Sequence, residues 1–225
     1  SWSYNRFSSK FFSFVNISFP FYISSEFRQQ WTIFQLDHVA SLRFENVDIS
    51  VIPATADNRY IQIAVFDYVT EPVIESVSDD ERVSIFSEPA TLFLSDCIIR
   101  GPVNFLRTIP AQPIKATWHN GLFASSDWFL HLPSVTSTPS NTASSVNPAG
   151  KPISLSVELQ QMVVSSTPGI LRVYNDTPGG SRGLPPLIDF TMMHSIFVTA
   201  PGNSIVLLDQ FSSIDEPRYR PTIRG

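Results

Sequence analysis

The run Ile153–Val164, ISLSVELQQMVV, constrains this chain most. Ile153, Leu155, Val157 and Leu159 alternate with Ser154, Ser156, Glu158 and Gln160. A hydrophobic period of two marks a strand with one buried face and one polar face. A second strand is predicted at Ser41–Ile52, SLRFENVDISVI. There Leu42 and Phe44 share one parity, while Val47, Ile49 and Val51 share the other. The phase change at Glu45–Asn46 predicts a bulge that rotates the strand. Pro53 ends it, and Tyr60–Tyr68 follows after the polar stretch Ala54–Arg59, which predicts an antiparallel hairpin.

Further strands are predicted at Asp96–Arg107 (interrupted by Gly101-Pro102), Ile114–His119, Trp128–Leu132, Ile170–Tyr174, Leu187–Thr199 and Ser204–Phe211. Between them lie Val69–Pro89, whose acidic residues suit the start of one short helix, the Ser/Thr/Pro-rich loop Pro133–Pro152, and the Gly/Pro loop Thr177–Pro186. No helical stripe of useful length and no internal repeat is visible. About eight to ten strands with long loops predict an all-β fold, an antiparallel jelly-roll β-sandwich with extended N- and C-terminal arms. The expected division is an N-terminal arm over 1–30, with a first-strand candidate inside Phe11–Ile23, a jelly-roll domain over 31–211, and an extended tail over 212–225.

Composition narrows the function. Of 225 residues only 16% are charged, against 43% hydrophobic; an ordinary domain carries about 25% charged residues. Eighteen Phe and eighteen Pro add to a picture of surface spent against other chains. The formal net charge is −5 and no Lys/Arg run occurs. Autonomous binding to nucleic acid through phosphates is therefore excluded as the main activity, leaving weak contact with packaged RNA through a few arginines. No apolar run reaches the roughly 18 residues of a membrane span. The start at Ser1 suggests a processed product.

The motifs offer little catalysis. Gly179-Gly180-Ser181-Arg182-Gly183 matches G-x-S-x-G, but Pro185-Pro186 follows where a hydrolase elbow needs a helix. His38, His119, His131 and His194 lie at no zinc spacing. Cys97 reads as a small buried hydrophobe. No catalytic, cofactor-binding or metal-ligating residue is assigned. The cluster Glu71, Glu75, Asp79, Asp80 and Glu81 reads first as a solvated acidic loop, with calcium at a subunit contact as the second reading, since it offers several oxygens. Asn16-Ile17-Ser18 and Asn175-Asp176-Thr177 match the glycosylation sequon. Trp118 and Trp128, with His119, Asn120 and Asp127, have the composition of a sugar site, the favoured reading being that both indoles pack in the core or in a subunit interface.

The segment Leu42–Tyr68 resembles a hairpin in capsid proteins of icosahedral positive-strand RNA viruses. Phe44, Val47, Ile49 and Pro53 match its first strand, and Ile61, Ile63, Ala64, Asp67 and Tyr68 its second; the usual turn glycine is missing. The lack of a basic arm favours the picorna-like type, as in secovirids and dicistroviruses. The resemblance implies a structural capsid subunit, not an enzyme. It would assemble with copies of itself and sibling capsid proteins into an icosahedral virion around the RNA, in host cytoplasm, with a receptor or vector on the outer surface. The alternative is a carbohydrate-binding or adhesive, lectin-like β-sandwich.

Overall fold

In the computed structural model the alternating segments are strands, but every long one pairs in parallel. Residues 5–7, 11–24, 30–36, 39–54, 62–68, 89–107, 113–133, 135–136, 154–174, 183–184, 187–203, 206–209 and 222–224 are described. The strands are β1 (Asn5–Phe7), β2 (Phe11–Val15), β3 (Ser18–Ile23), β4 (Trp31–Leu36), β5 (Ser41–Glu45), β6 (Asp48–Pro53), β7 (Ile63–Tyr68), β8 (Ala90–Gly101), β9 (Val103–Leu106) and β10 (Ile114–Ser125). There follow β11 (Leu130–Pro133), β12 (Val135–Thr136), β13 (Ser154–Ser166), β14 (Leu171–Tyr174), β15 (Gly183–Leu184), β16 (Leu187–Met193), β17 (Ile196–Val198), β18 (Val206–Asp209) and β19 (Thr222–Arg224).

Two sheets result. The first runs β1-β4-β7-β9-β11-β14-β18, and the second runs β19-β16-β13-β10-β8-β5-β2, with β3, β6 and β17 continuing its coils beyond a bend. The chain passes from one sheet to the other and back in every coil, so each strand lies beside its counterpart one coil later. This is a parallel β-solenoid. It replaces the expected antiparallel jelly-roll sandwich; the single antiparallel pair among the described residues is the short one between β12 and β15. The expected hairpin is absent too. β6 pairs with β3 and β8, whereas β7 pairs with β4 and β9 in the other sheet.

A structural repeat runs through the second sheet. Phe12, Leu42, Leu92, Ala116, Val157 and Phe190 stack in one inward row. Phe14, Phe44, Leu94, Trp118, Leu159 and Met192 form the next. After the bend, Phe19, Ile49, Ile99, Phe123, Val164 and Phe197 form a third. The spacing between copies hides the repeat in the sequence. It is 24 residues from Leu94 to Trp118 but 50 from Phe44 to Leu94, because connections of unequal length sit between like strands.

At each bend one residue is left-handed: Asn16 (φ 57), Asn46 (φ 52), Asp96 (φ 55), Asn120 (φ 51), Gln161 (φ 55) and His194 (φ 50). Asn and Asp tolerate this region because their short polar side chains bond locally. This is the device behind the phase change at Glu45–Asn46. Two glycines serve the corners, Gly121 beside the left-handed Asn120 and Gly101 at the passage to the other sheet. A Cβ on Gly121 would lie 2.3 Å from the Cys97 carbonyl oxygen and 2.6 Å from Trp118 Nε1. Gly101 (φ 119), whose Cβ would meet the Val51 carbonyl oxygen at 2.3 Å, turns the chain from β8 into β9.

Aromatic rings fill the space between the sheets. Phe14 stacks on Phe44 at 4.9 Å, Phe34 on Phe66 at 5.6 Å, and Phe105 on Phe129 at 4.8 Å with the rings 3° apart. Such pairs add roughly 0.5–1.5 kcal/mol each beyond the area they bury. No helix among the described residues is long and apolar enough to cross a membrane. Within the expected arms, β1, β2 and β3 join the coils, and β19 pairs with β16.

Candidate functional site

Two polar features stand out, one on each sheet. On the second sheet the left-handed residues form a ladder along the outer side of the bend. Asn46 Nδ2 donates to Asn16 Oδ1 at 2.7 Å, and Asn120 Nδ2 donates to Asp96 Oδ1 at 2.6 Å. Ser95 Oγ donates to Asp96 Oδ2 at 2.7 Å. A groove of about 260 Å³ follows the ladder, lined by Asn16, Ile17, Ser18, Asn46, Val47, Asp48, Asp96 and Ile98. Its polar rim is cross-linked by side-chain bonds. Asp48 accepts from Arg100 Nη2 at 2.8 Å and from Ser50 Oγ at 2.6 Å. Ile17 and Ile98 are exposed and supply an apolar wall. Nearby, Phe93 sits between the Arg43 guanidinium, 5.0 Å from its ring centre, and the His119 ring at 5.6 Å. Arg43 also pairs with Glu45.

The hydrogen bonds from Ser95 and Asn120 hold the Asp96 carboxyl below its ordinary 3.8. A depressed carboxyl adds stability above its unfolded pKa, and that gain is lost as pH falls through the folded one. The variant Asn120→Gly keeps the left-handed backbone and removes the amide donor. Carboxyl-detected NMR titration is expected to show Asp96 moving up toward 3.8 in that variant, and an unchanged midpoint would refute the ladder bond.

On the first sheet a buried ion pair lies where the strands end. Arg107 Nη2 donates to Asp67 Oδ2 at 2.7 Å and to Thr32 Oγ1 at 2.8 Å, and Thr32 Oγ1 donates to Asp67 Oδ2 at 3.2 Å. The side chains of Arg107 and Asp67 are only 11% and 14% exposed. The pairing of β4 with β7 and of β7 with β9 skips Ile33, Val65 and Phe105, and each of these is buried together with the residue after it. That local bend brings Thr32 and Asp67 into reach. Gln35 and Asp67 are register partners, as are His131 and Arg172, so the polar row crosses several coils. The sequence connections 69–89, 134–153 and 175–186 all follow strands of this sheet.

The residues singled out from sequence are distributed as follows. Trp118 and Trp128 are 1% and 9% exposed, so neither indole offers a sugar platform; His119 and Asn120 reach the surface, and the Asp127 carboxylate accepts from Trp128 N at 2.8 Å. His131 is buried, 4.7 Å from the Tyr174 ring. His194 is a ladder residue. Burial raises the Cys97 thiol pKa, and its Sγ donates to the Ser95 carbonyl oxygen at 3.1 Å. His38, Gly179 to Arg182 and the acidic cluster Glu71, Glu75, Asp79, Asp80 and Glu81 lie outside the described residues. Among the described residues no three His, Cys, Asp or Glu side chains gather as a metal set. The ladder was missed as a unit: Asn16 was noticed as a sequon, Asn46 as a bulge, Asn120 beside the two indoles and His194 as a lone histidine, while Asp96 and Gln161 drew no notice. Its signal is a polar residue two places after one core position and three before the next, as in FVNISF, FENVDI and WHNGLF.

Comparison with family models, with characterised proteins and with solved structures gives no match to this chain.

Proposed function

We propose that this chain is a non-enzymatic binding module that holds an extended carbohydrate along the ladder groove of the second sheet. The observation that carries the reading is the groove itself. Side-chain amides and carboxylates of Asn16, Asn46, Asp48 and Asp96 line it beside the exposed aliphatic faces of Ile17 and Ile98. A pyranose has the matching build, a rim of hydroxyls around an apolar face. Fixed planar side chains offer it donors and acceptors already oriented. The polar rows repeat at the strand spacing of about 4.8 Å. That spacing is close to the length of one sugar unit, so a polymer would meet a polar side chain on each of three successive coils, Asn16, Asn46 and Asp96. Adhesion to glycan-bearing surfaces is the role that follows.

The capsid-subunit expectation rested on the Leu42–Tyr68 hairpin. With β6 and β7 in different sheets, nothing in the fold adds to that reading.

The test is a glycan panel followed by calorimetry on the best neutral oligosaccharide. Asn46→Gly keeps a backbone that tolerates φ near 52° and removes the amide. One lost hydrogen bond of about 1–1.5 kcal/mol predicts a weakening of about tenfold. No binding by any glycan, or equal affinity in the variant, would overturn the proposal.

A further inference from the structure

We infer that the ligand is a straight, uncharged polysaccharide joined through equatorial bonds, and that it lies along all six rungs of the ladder. The inference rests on the carbohydrate reading above and extends it. The groove itself covers the coils of Asn16, Asn46 and Asp96. The strand register carries the same surface further. On one side of the rungs runs the row Val15, Glu45, Ser95, His119, Gln160 and Met193. On the other runs the row Ser18, Asp48, Ile98, Leu122, Val163 and Ile196. The left-handed residues Asn16, Asn46, Asp96, Asn120, Gln161 and His194 stand between these rows, one on each coil, and all are exposed.

The second row changes character along the stack. Ser18 and Asp48 are polar, and the next four residues are aliphatic. Ile98, Val163 and Ile196 are 36%, 40% and 61% exposed, and Leu122 is half-buried. A contiguous apolar row edged by polar residues marks a binding surface. Beyond it, Ala124 and Ser165 are the register partners that follow Arg100. Their short side chains leave room for a ring to rest on Leu122 and Val163. A polar line of rungs thus runs beside an aliphatic line, and the two are continuous with the groove already described.

This pattern selects one build of sugar. Neighbouring strands stand about 4.8 Å apart, so six rungs span about 24 Å. A ligand that keeps one ring to each rung has to run straight. Rings joined through equatorial bonds at both ends form a straight ribbon, whereas an axial bond bends the chain into a coil that leaves the row. The ribbon offers axial C–H groups to the aliphatic row and equatorial hydroxyls to the rungs. Charge narrows the class further. The carboxylates of Asp48 and Asp96 line the groove, and the Arg100 guanidinium is bound to Asp48 at 2.8 Å. A uronate or sulfated chain would meet like charge there.

Calorimetry on the full chain tests this, with β-1,4-linked glucose from dimer to octamer and with hexamers of α-1,4-linked glucose and of β-1,4-linked mannuronate. Affinity is expected to rise with each β-1,4 glucose unit to the hexamer and then level off. The other two hexamers are expected to bind at least about tenfold more weakly. Gln161→Gly tolerates the backbone at φ 55 and removes the amide, and Val163→Asp places a charge in the aliphatic row. Each is expected to weaken the β-1,4 glucose hexamer about tenfold with the unfolding midpoint close to wild type, since both side chains are exposed. A plateau at the trimer, equal binding of either other hexamer, or a hexamer indifferent to both variants would overturn the inference and leave the groove on the first three coils standing. Failure of every glycan would remove both readings. A wild-type dimer in sedimentation velocity that Val163→Asp dissociates would give the aliphatic row to a second copy and overturn the inference.

Discussion

Asp67→Ala is expected to lower the unfolding free energy by about 3–5 kcal/mol, measured by urea denaturation. The Arg107 side chain is 11% exposed, and its described charge partner is Asp67 at 2.7 Å. Removing the carboxylate leaves a guanidinium out of water with Thr32 as its remaining partner among the described residues. The pair itself is a weak source of stability, because two desolvated charges consume most of their attraction. The double variant Asp67→Leu with Arg107→Met is therefore expected to recover most of the loss. That contrast separates an uncompensated charge from lost packing. A single variant within about 1 kcal/mol of wild type would show that water reaches the pair and that the bend at Ile33 and Val65 is looser than described.

Phe105→Ala is expected to cost a further 3 kcal/mol or more, roughly 3–5 for a buried ring. Phe105 is 1% exposed and joins the aromatic packing of three successive coils through Phe66, Trp118 and Phe129, at 5.4, 5.5 and 4.8 Å. It bridges the two sheets, since Trp118 belongs to β10 and Phe66 to β7. In a solenoid each coil leans only on its neighbours. The cavity should therefore break cooperativity at the middle of the stack as well as lower the midpoint, and calorimetry should resolve two transitions. Phe93→Ala is the control: on the outer face, next to Arg43, it should cost less than about 1 kcal/mol. Equal losses at the two positions would refute the assignment of inner and outer rows.

Both effects depend on which residues face inward, and most of that was readable. The alternation in Ile153–Val164 correctly separates the buried Leu155, Val157 and Leu159 from the outer Ser156 and Glu158. The phase change at Asn46 marks a true turn of the strand. Partner strands were not readable. Parallel sheets usually show continuous apolar runs because both faces are covered, while alternation signals an antiparallel sheet with one wet face. Here the second sheet is parallel with its outer face wet, so it alternates like an antiparallel one. The continuous runs belong to the first sheet, as in Ile63, Ala64, Val65 and Phe66, all buried.

The candidate site was less legible than the core. Asp67 drew notice only as part of a hairpin motif, and its partner Arg107 lies 40 residues away. Asn16, Asn46, Asp96 and Asn120 are ordinary polar residues in sequence. They become a ladder only when the coils are stacked in register.

The sequence alone determined the strands that dominate the described residues, their inward faces, and the residues able to turn a strand sharply. Those properties are local: period-two burial and the left-handed tolerance of Asn and Asp act within a few residues. The tertiary structure decided parallel stacking, the two sheets, the ladder groove and the Asp67–Arg107 pair. Each depends on which distant strand lies alongside. Side-chain alternation is the same for either direction of pairing, and connections of unequal length conceal the repeat that selects one of them.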